Sequence, residues 1–145
     1  MKTYKLNDLN NPLISVLMPA YNAEKYIKEA IESILNQTFS NFEFIIIDDG
    51  SIDATEEIIK SFKDSRIVYI KNEKNLGLIK TLNKGISIAR GEFIARMDSD
   101  DISMPQRFEL QLDVFKKYKG VDIVNVALKK MSDRKSTRLN SSHVI

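Results

Sequence analysis

The 145-residue chain contains no cysteine, which removes a disulfide scaffold, a thiolate metal site and a cysteine nucleophile together and suits a reducing, cytoplasmic setting. Histidine is almost as scarce: His143 is the single one, and it sits in a polar tail where it makes a poor base or metal ligand. Long apolar runs are missing too. Stretches such as Phe44 to Ile47 fall far short of the roughly 20 residues needed to cross a bilayer, and the opening MKTYKLNDLNNP lacks the apolar segment of a signal peptide. The expectation is a cytoplasmic chain without a transmembrane segment, compatible with peripheral attachment at the inner membrane face. Charge of one sign is also lacking. Lys plus Arg number 22 against 20 for Asp plus Glu, so a net charge of +2 provides no general attraction to nucleic acid. Three phosphate or nucleophile motifs are absent as well: G-x-G-x-x-G after the first strand, G-x-x-x-x-G-K-[ST] and G-x-S-x-G. Dinucleotide binding, P-loop phosphoryl transfer and hydrolase triads therefore have no support.

What is present is an alternation of strand and helix signals. With 43% apolar residues the length suits one core. LISVLM (13–18) and FEFIII (42–47) read as buried strands, RIVYI (66–70) as a shorter one, and the segment from Glu92 to Met97 as a fourth. Between them, Tyr26, Ile27, Ala30, Ile31, Ile34 and Leu35 form one helical stripe, with Asn22 placed to cap it. Ile58, Ile59 and Phe62 mark a second helix, opened by the capping-box spacing of Asp53 and Glu56. Ile79, Leu82, Ile86 and Ala89 mark a third helix ended by Gly91. Phe108, Leu112 and Phe115 mark a fourth, with Ser103 and Gln106 spaced as a box, and VDIVNVA (121–127) follows as strand five. The predicted class is α/β, a mainly parallel sheet with helices on both faces.

In such a sheet the residues just after each strand meet along one edge, where ligands bind. That edge would gather Pro19-Ala20-Tyr21-Asn22, Asp48-Asp49-Gly50-Ser51, the 71–75 loop and Asp98-Ser99-Asp100-Asp101. Asp98 and Asp100 share a face if the strand geometry continues, and Asp101 reaches in from the turn. Clustered carboxylates with no sulfur or imidazole suit a hard ion such as Mg²⁺, which keeps places for water and phosphate oxygens. Simpler roles exist for the same residues. Aspartates favour turns and helix caps, the Tyr21 ring can pack in the core, and Lys80 can be an ordinary solvated helix residue. An EF-hand does not fit, because Ile102 and Ser103 occupy positions that need an oxygen ligand and a turn glycine.

Three segments, ISVLMPAYNAEKYIKEAIESILNQTFSNFEFIIIDDGSIDAT, NLGLIKTLNKGISIARGEFIARMDSDD and MPQRFELQ, resemble family 2 glycosyltransferases of the GT-A fold over about Pro12 to Val126. The resemblance implies inverting transfer of a sugar from a nucleotide-diphosphate donor, UDP-linked, to an acceptor hydroxyl in glycan or cell-surface polysaccharide synthesis. It also implies Mg²⁺ or Mn²⁺ as cofactor. Nucleotide-sugar contacts are then expected from Pro19, Ala20, Tyr21, Asp48, Asp49, Lys80, Asp98 and Ser99, and metal contacts from Asp98, Asp100 and Asp101. Family members continue into an acceptor half that carries the general-base aspartate, and nothing in this chain matches it.

The expected organisation is a polar lead (1–11), a partial donor-binding domain (12–128) and a disordered tail (129–145). The end of that tail, RKSTRLNSSHVI, resembles translated adapter sequence found at the ends of unrelated proteins. On this reading the chain is a donor-binding fragment. A nucleotide-sugar-binding module without transfer, nucleotidyl transfer on a related scaffold, and an unproductive truncated product are the alternatives.

Overall fold

The computed structural model describes residues 10–126 together with the backbone of 131–133, 136–138 and 142–144. The order is β1 (Ile14–Ala20), α1 (Ile27–Leu35), β2 (Phe42–Asp48), α2 (Thr55–Ser61), β3 (Ile67–Lys71), α3 (Leu78–Ile88), β4 (Phe93–Met97) and α4 (Arg107–Lys117). Four short strands follow: β5 (Val124–Asn125), β6 (Met131–Asp133), β7 (Ser136–Arg138) and β8 (Ser142–Val144). The main sheet runs β3-β2-β1-β4-β8-β5, and β6 pairs with β7 in a second, two-stranded sheet. Strands β1 to β4 are mutually parallel, whereas β8 is antiparallel to β4 and to β5.

Successive strand residues point to opposite faces, and the core divides accordingly. Ile14, Val16, Met18 and Ala20 of β1 join Phe42, Phe44 and Ile46 of β2 under α1, with Ile59 of α2 and Phe108 and Leu112 of α4. The Phe42 and Phe108 rings meet edge to face at 5.6 Å, tying α4 to the sheet. On the other face Leu17, Ile45 and Ile47 form a smaller cluster. Helix α3 covers it through Gly85, where an added Cβ would lie 3.2 Å from Ile47 and 3.3 Å from Leu17.

Several local expectations change. Of the apolar stripe on α3, Ile79 (76% exposed) and Ile86 face outward, Leu82 is half-buried and Ala89, just past the helix, packs on the small cluster; the residues the helix itself buries are Thr81 and Gly85, because close approach to the sheet favours small side chains. Strand five shrinks to Val124–Asn125, since β8 takes the place beside β4 and Ile123 stays exposed; Ala127 lies outside the described residues. The polar lead falls outside them up to residue 9, as does much of the tail, whose described backbone forms β6, β7 and β8.

The expected caps are also reassigned. Asn22 adopts a left-handed backbone, φ 46°, and its Oδ1 accepts the Ile52 N–H at 3.0 Å instead of capping α1. Asp53 does serve the start of α2, accepting the Thr55 N–H and hydroxyl, but Glu56 turns away to Lys60 and Lys71. Ser103 accepts from Gln37 and leaves α4 to be capped from a distance: Gln37 Oε1 accepts the Phe108 N–H at 3.2 Å, while its Nε2 donates to the Met104 carbonyl at 2.6 Å. Gln37→Leu would strand these buried groups and is expected to lower stability by about 2 kcal/mol, measurable by urea unfolding.

Gly91 ends no helix. It supports a junction in which its N–H donates to Ser15 Oγ, which donates to Glu43 Oε1 at 2.6 Å. The buried Glu43 carboxylate also accepts the Arg90 N–H and is paired with the Arg90 guanidinium at 2.9 Å, so a charge near the core keeps its compensation. Among the described residues, no helix is long and apolar enough to cross a membrane.

Candidate functional site

The carboxyl ends of β1, β2 and β4 open onto one cleft of about 540 Å³, within the range of small-molecule sites. Hydrogen bonds between consecutive loops hold its rim. The Asp49 N–H donates to the Ala20 carbonyl and the Asn72 N–H to the Asp48 carbonyl, extending the strand pattern past the sheet. Ser51 Oγ accepts the Asn22 N–H, and Thr55 Oγ1 accepts the Ala23 N–H at 2.8 Å. Pro19, Ala20, Tyr21, Asp49, Asp98, Ser99 and Asp100 line the cleft, and the Tyr21 ring is half exposed over it. Three residues expected there are not part of the lining: Asp48, Lys80 and Asp101.

The two neighbouring aspartates at the end of β2 do different work. Asp48 is fully buried; its Oδ1 accepts the Ser51 N–H at 2.9 Å and its Oδ2 the Tyr69 hydroxyl at 3.4 Å, so it shapes the turn. Asp49 accepts Asn72 Nδ2 and the Leu76 N–H on Oδ1, both at 2.8 Å, and the Gly77 N–H on Oδ2 at 2.9 Å. Burial alone would raise its pKa, but the hydrogen bonds from Leu76, Asn72 and Gly77, with the Thr81 hydroxyl nearby, outweigh that and hold the carboxyl below its ordinary value. Asp49 thereby straps the 72–77 loop to the cleft. Lys80 points to solvent from α3, the fate of most helical lysines.

After β4 the aspartate turn separates its members. Asp98 and Asp100 face the cleft, whereas Asp101 is 3% exposed and its N–H donates to the Asp98 carbonyl. Beneath the turn lies Arg107, itself 3% exposed, donating to the Arg96 carbonyl at 3.0 Å and to Gln111 Oε1 at 3.1 Å. Burial lowers its guanidinium to about 10, with Asp101 and Asp98 pulling the other way, so it stays charged at neutral pH and compensates the turn from below. Among the described residues no three carboxylate or imidazole groups cluster to form a self-sufficient metal cage. Asp98 and Asp100 nevertheless suit the partial shell that Mg²⁺ or Mn²⁺ completes with water and phosphate oxygens, being hard oxygen donors on an open cleft.

Sequence reasoning missed other parts of the lining: Gly77, Leu78 and Thr81 from the far rim, Ala23 and Tyr26 from the turn before α1, and Arg96. Arg96 did leave a signal. A charged residue inside the apolar strand FIARM, two positions before Asp98, falls on the same side as that aspartate. The two form an ion pair at 3.2 Å. For Thr81 the only trace is a polar residue on the buried side of α3, and that side becomes known only once the sheet is in place.

The sequence profile of Glycosyl transferase family 2 matches residues 15–143, running well into the stretch that resembles adapter sequence. An uncharacterized glycosyltransferase of Methanocaldococcus jannaschii is 46% identical over 82% of this chain and 42% of its own length. From Escherichia coli, UDP-Glc:alpha-D-GlcNAc-diphosphoundecaprenol beta-1,3-glucosyltransferase WfgD is 37% identical over 81% of this chain and 49% of its own. The chain thus spans less than half the length of these curated relatives. Among solved structures, S. aureus TarS 1–349 in complex with UDP superposes with a TM-score of 0.74 at 30% identity, over 80% of this chain and 35% of that one. A mannosyltransferase from Pyrobaculum calidifontis, solved with GDP-Man and Mn²⁺, shares the fold at 23% identity and a TM-score of 0.71, over 88% of this chain and 39% of that one.

Proposed function

Because the chain belongs to glycosyl transferase family 2 and has the GT-A fold, we propose that its cleft binds the nucleotide-diphosphate half of a sugar donor, UDP-linked, for inverting transfer to an acceptor hydroxyl in glycan or cell-surface polysaccharide synthesis. The observation that carries this reading is the convergence of the Tyr21 ring, the strapped 72–77 loop and the Asp98 and Asp100 carboxylates on one cleft. Tyr21 offers an aromatic face to the base, and Pro19 and Ala20 present backbone at the nucleoside end. Ser99 adds a hydroxyl beside the diphosphate. A divalent ion on Asp98 and Asp100, when bound, neutralises charge that develops on the departing diphosphate. UDP is preferred to other nucleotides because TarS, 30% identical, was solved with it and the Escherichia coli relative is named for a UDP-linked donor.

A second reading is favoured by one feature of the cleft. Its carboxylates are Asp49, Asp98 and Asp100; the first is occupied by three donors and the others serve the metal, so none remains as base for an acceptor hydroxyl. By itself the chain then binds donor without transfer, and catalysis belongs to a family-length protein. Calorimetric titration of UDP with Mn²⁺ or Mg²⁺ tests both. Binding is expected with metal, and Asp100→Ala or chelator should weaken it at least about tenfold. A folded chain that ignores UDP under all conditions sinks the donor site, and measurable sugar transfer sinks the second reading.

A further inference from the structure

We propose that Arg96 is an exchangeable counter-ion of the aspartate turn: it holds Asp98 in this structure, yields that carboxylate to the divalent ion, and then turns to the donor diphosphate. The proposal rests on the donor-site reading above and adds a residue to it. Arg96 leaves β4 on the cleft side, and its side chain keeps a third of its surface exposed. Its Nε and Nη2 both approach the same oxygen, Asp98 Oδ1, at 3.2 Å. That distance exceeds the 2.7–2.9 Å usual for charged pairs, and two donors sharing one oxygen forgo the fork geometry that makes arginine–carboxylate pairs strong. The grip is therefore weak and easily exchanged.

Arg107 provides the contrast. It is buried and anchored to the Arg96 carbonyl and to Gln111, so it supplies the permanent charge under the turn. Arg96 supplies the part that can leave. A dication arriving at Asp98 repels the neighbouring guanidinium. The same event delivers a diphosphate, whose paired oxygens match the planar fork that Asp98 Oδ1 alone does not satisfy. One side chain thus keeps Asp98 compensated before the donor arrives and holds the donor afterwards.

The test uses the full chain, with Arg96→Met removing the charge and Arg96→Lys keeping it without the fork. Mn²⁺ alone is titrated first, followed by UDP and by uridine at saturating Mn²⁺. Arg96→Met is expected to bind Mn²⁺ about fivefold more tightly than wild type, having lost the competitor for Asp98. It should bind UDP about tenfold more weakly, with uridine unchanged within about twofold. Arg96→Lys should show an intermediate loss for UDP. Mn²⁺ binding that is unchanged or weaker in Arg96→Met, equal losses for UDP and uridine, or a lysine variant indistinguishable from wild type would each overturn the proposal. A wild-type chain that binds neither UDP nor uridine overturns the donor-site reading instead, an outcome distinct from UDP binding that survives Arg96→Met. Thermal unfolding midpoints close to wild type are expected for both variants, since a partly exposed ion pair contributes little to stability.

Discussion

Asp49→Ala is expected to lower folding stability by about 3 kcal/mol, because it leaves the buried Asn72 amide and the N–H groups of Leu76 and Gly77 without their acceptor. The same change should release the 72–77 loop, whose Asn75 and Gly77 line the cleft, and so weaken UDP binding together with stability. Asp49→Asn keeps the shape but turns an NH₂ toward one of the three donors, and its loss should fall between wild type and alanine. Urea unfolding gives the first quantity and calorimetry the second. A wild-type midpoint for Asp49→Ala would show that the loop is held by other contacts. A pH dependence follows as well. The Asp49 carboxyl is held below its ordinary value in the folded chain, so its contribution is complete above the unfolded value near 4 and disappears as the pH falls through that value toward the lower folded one. The wild type should therefore lose more stability than Asp49→Asn between about pH 5 and 2.

Gly91→Ala should be comparably damaging for a steric reason. A Cβ there would sit 2.5 Å from the Ser15 nitrogen and 2.7 Å from the Ile14 carbonyl carbon. These are backbone atoms of β1, which is hydrogen-bonded on one side to β2 and on the other to β4 and cannot recede. A cost of about 3 kcal/mol is expected, the upper end for inserting atoms into a packed core. Gly120→Ala is the control: nothing lies within 4 Å of its added Cβ, and the cost should be the roughly 1 kcal/mol of a left-handed alanine at φ 84°. Equal midpoints for the two variants would contradict this account.

These positions also mark what the sequence made legible. Strands β1 to β4 were readable because each is a short apolar run with a polar stop, and the aspartate turn because three carboxylates in four positions have few uses after a buried strand. Gly91 is deceptive: a glycine near the end of a helical pattern suggests a cap, and only the adjacent strand reveals that the missing side chain makes room for Ser15. Gln37 gives no signal in the sequence, since the partners that make it a cap lie 66 to 71 residues along the chain. The apolar stripe of α3 shows the limit of periodicity, which finds a helix but does not say which side faces the sheet. The aspartates behaved similarly. Spacing placed Asp98 and Asp100 together correctly, whereas Asp48 and Asp101 were drawn inward by partners that are distant in the fold's logic or specific to its turns: Tyr69 and the buried charge of Arg107.

The place of β1 in the sheet has a consequence for synthesis. Its partner on one side, β2, follows almost at once, but the other, β4, is encoded about 80 residues later, with Leu17 opposite Arg96. At the usual pace of translation that interval lasts roughly 4 to 16 seconds. Throughout it the central strand of the finished protein is an edge strand on the ribosome, with open N–H and carbonyl groups. A nascent chain stalled before Phe93 would leave the backbone edge of β1 open to whatever pairs with such edges, which makes the interval between β2 and β4 the period in which this domain depends most on chaperones.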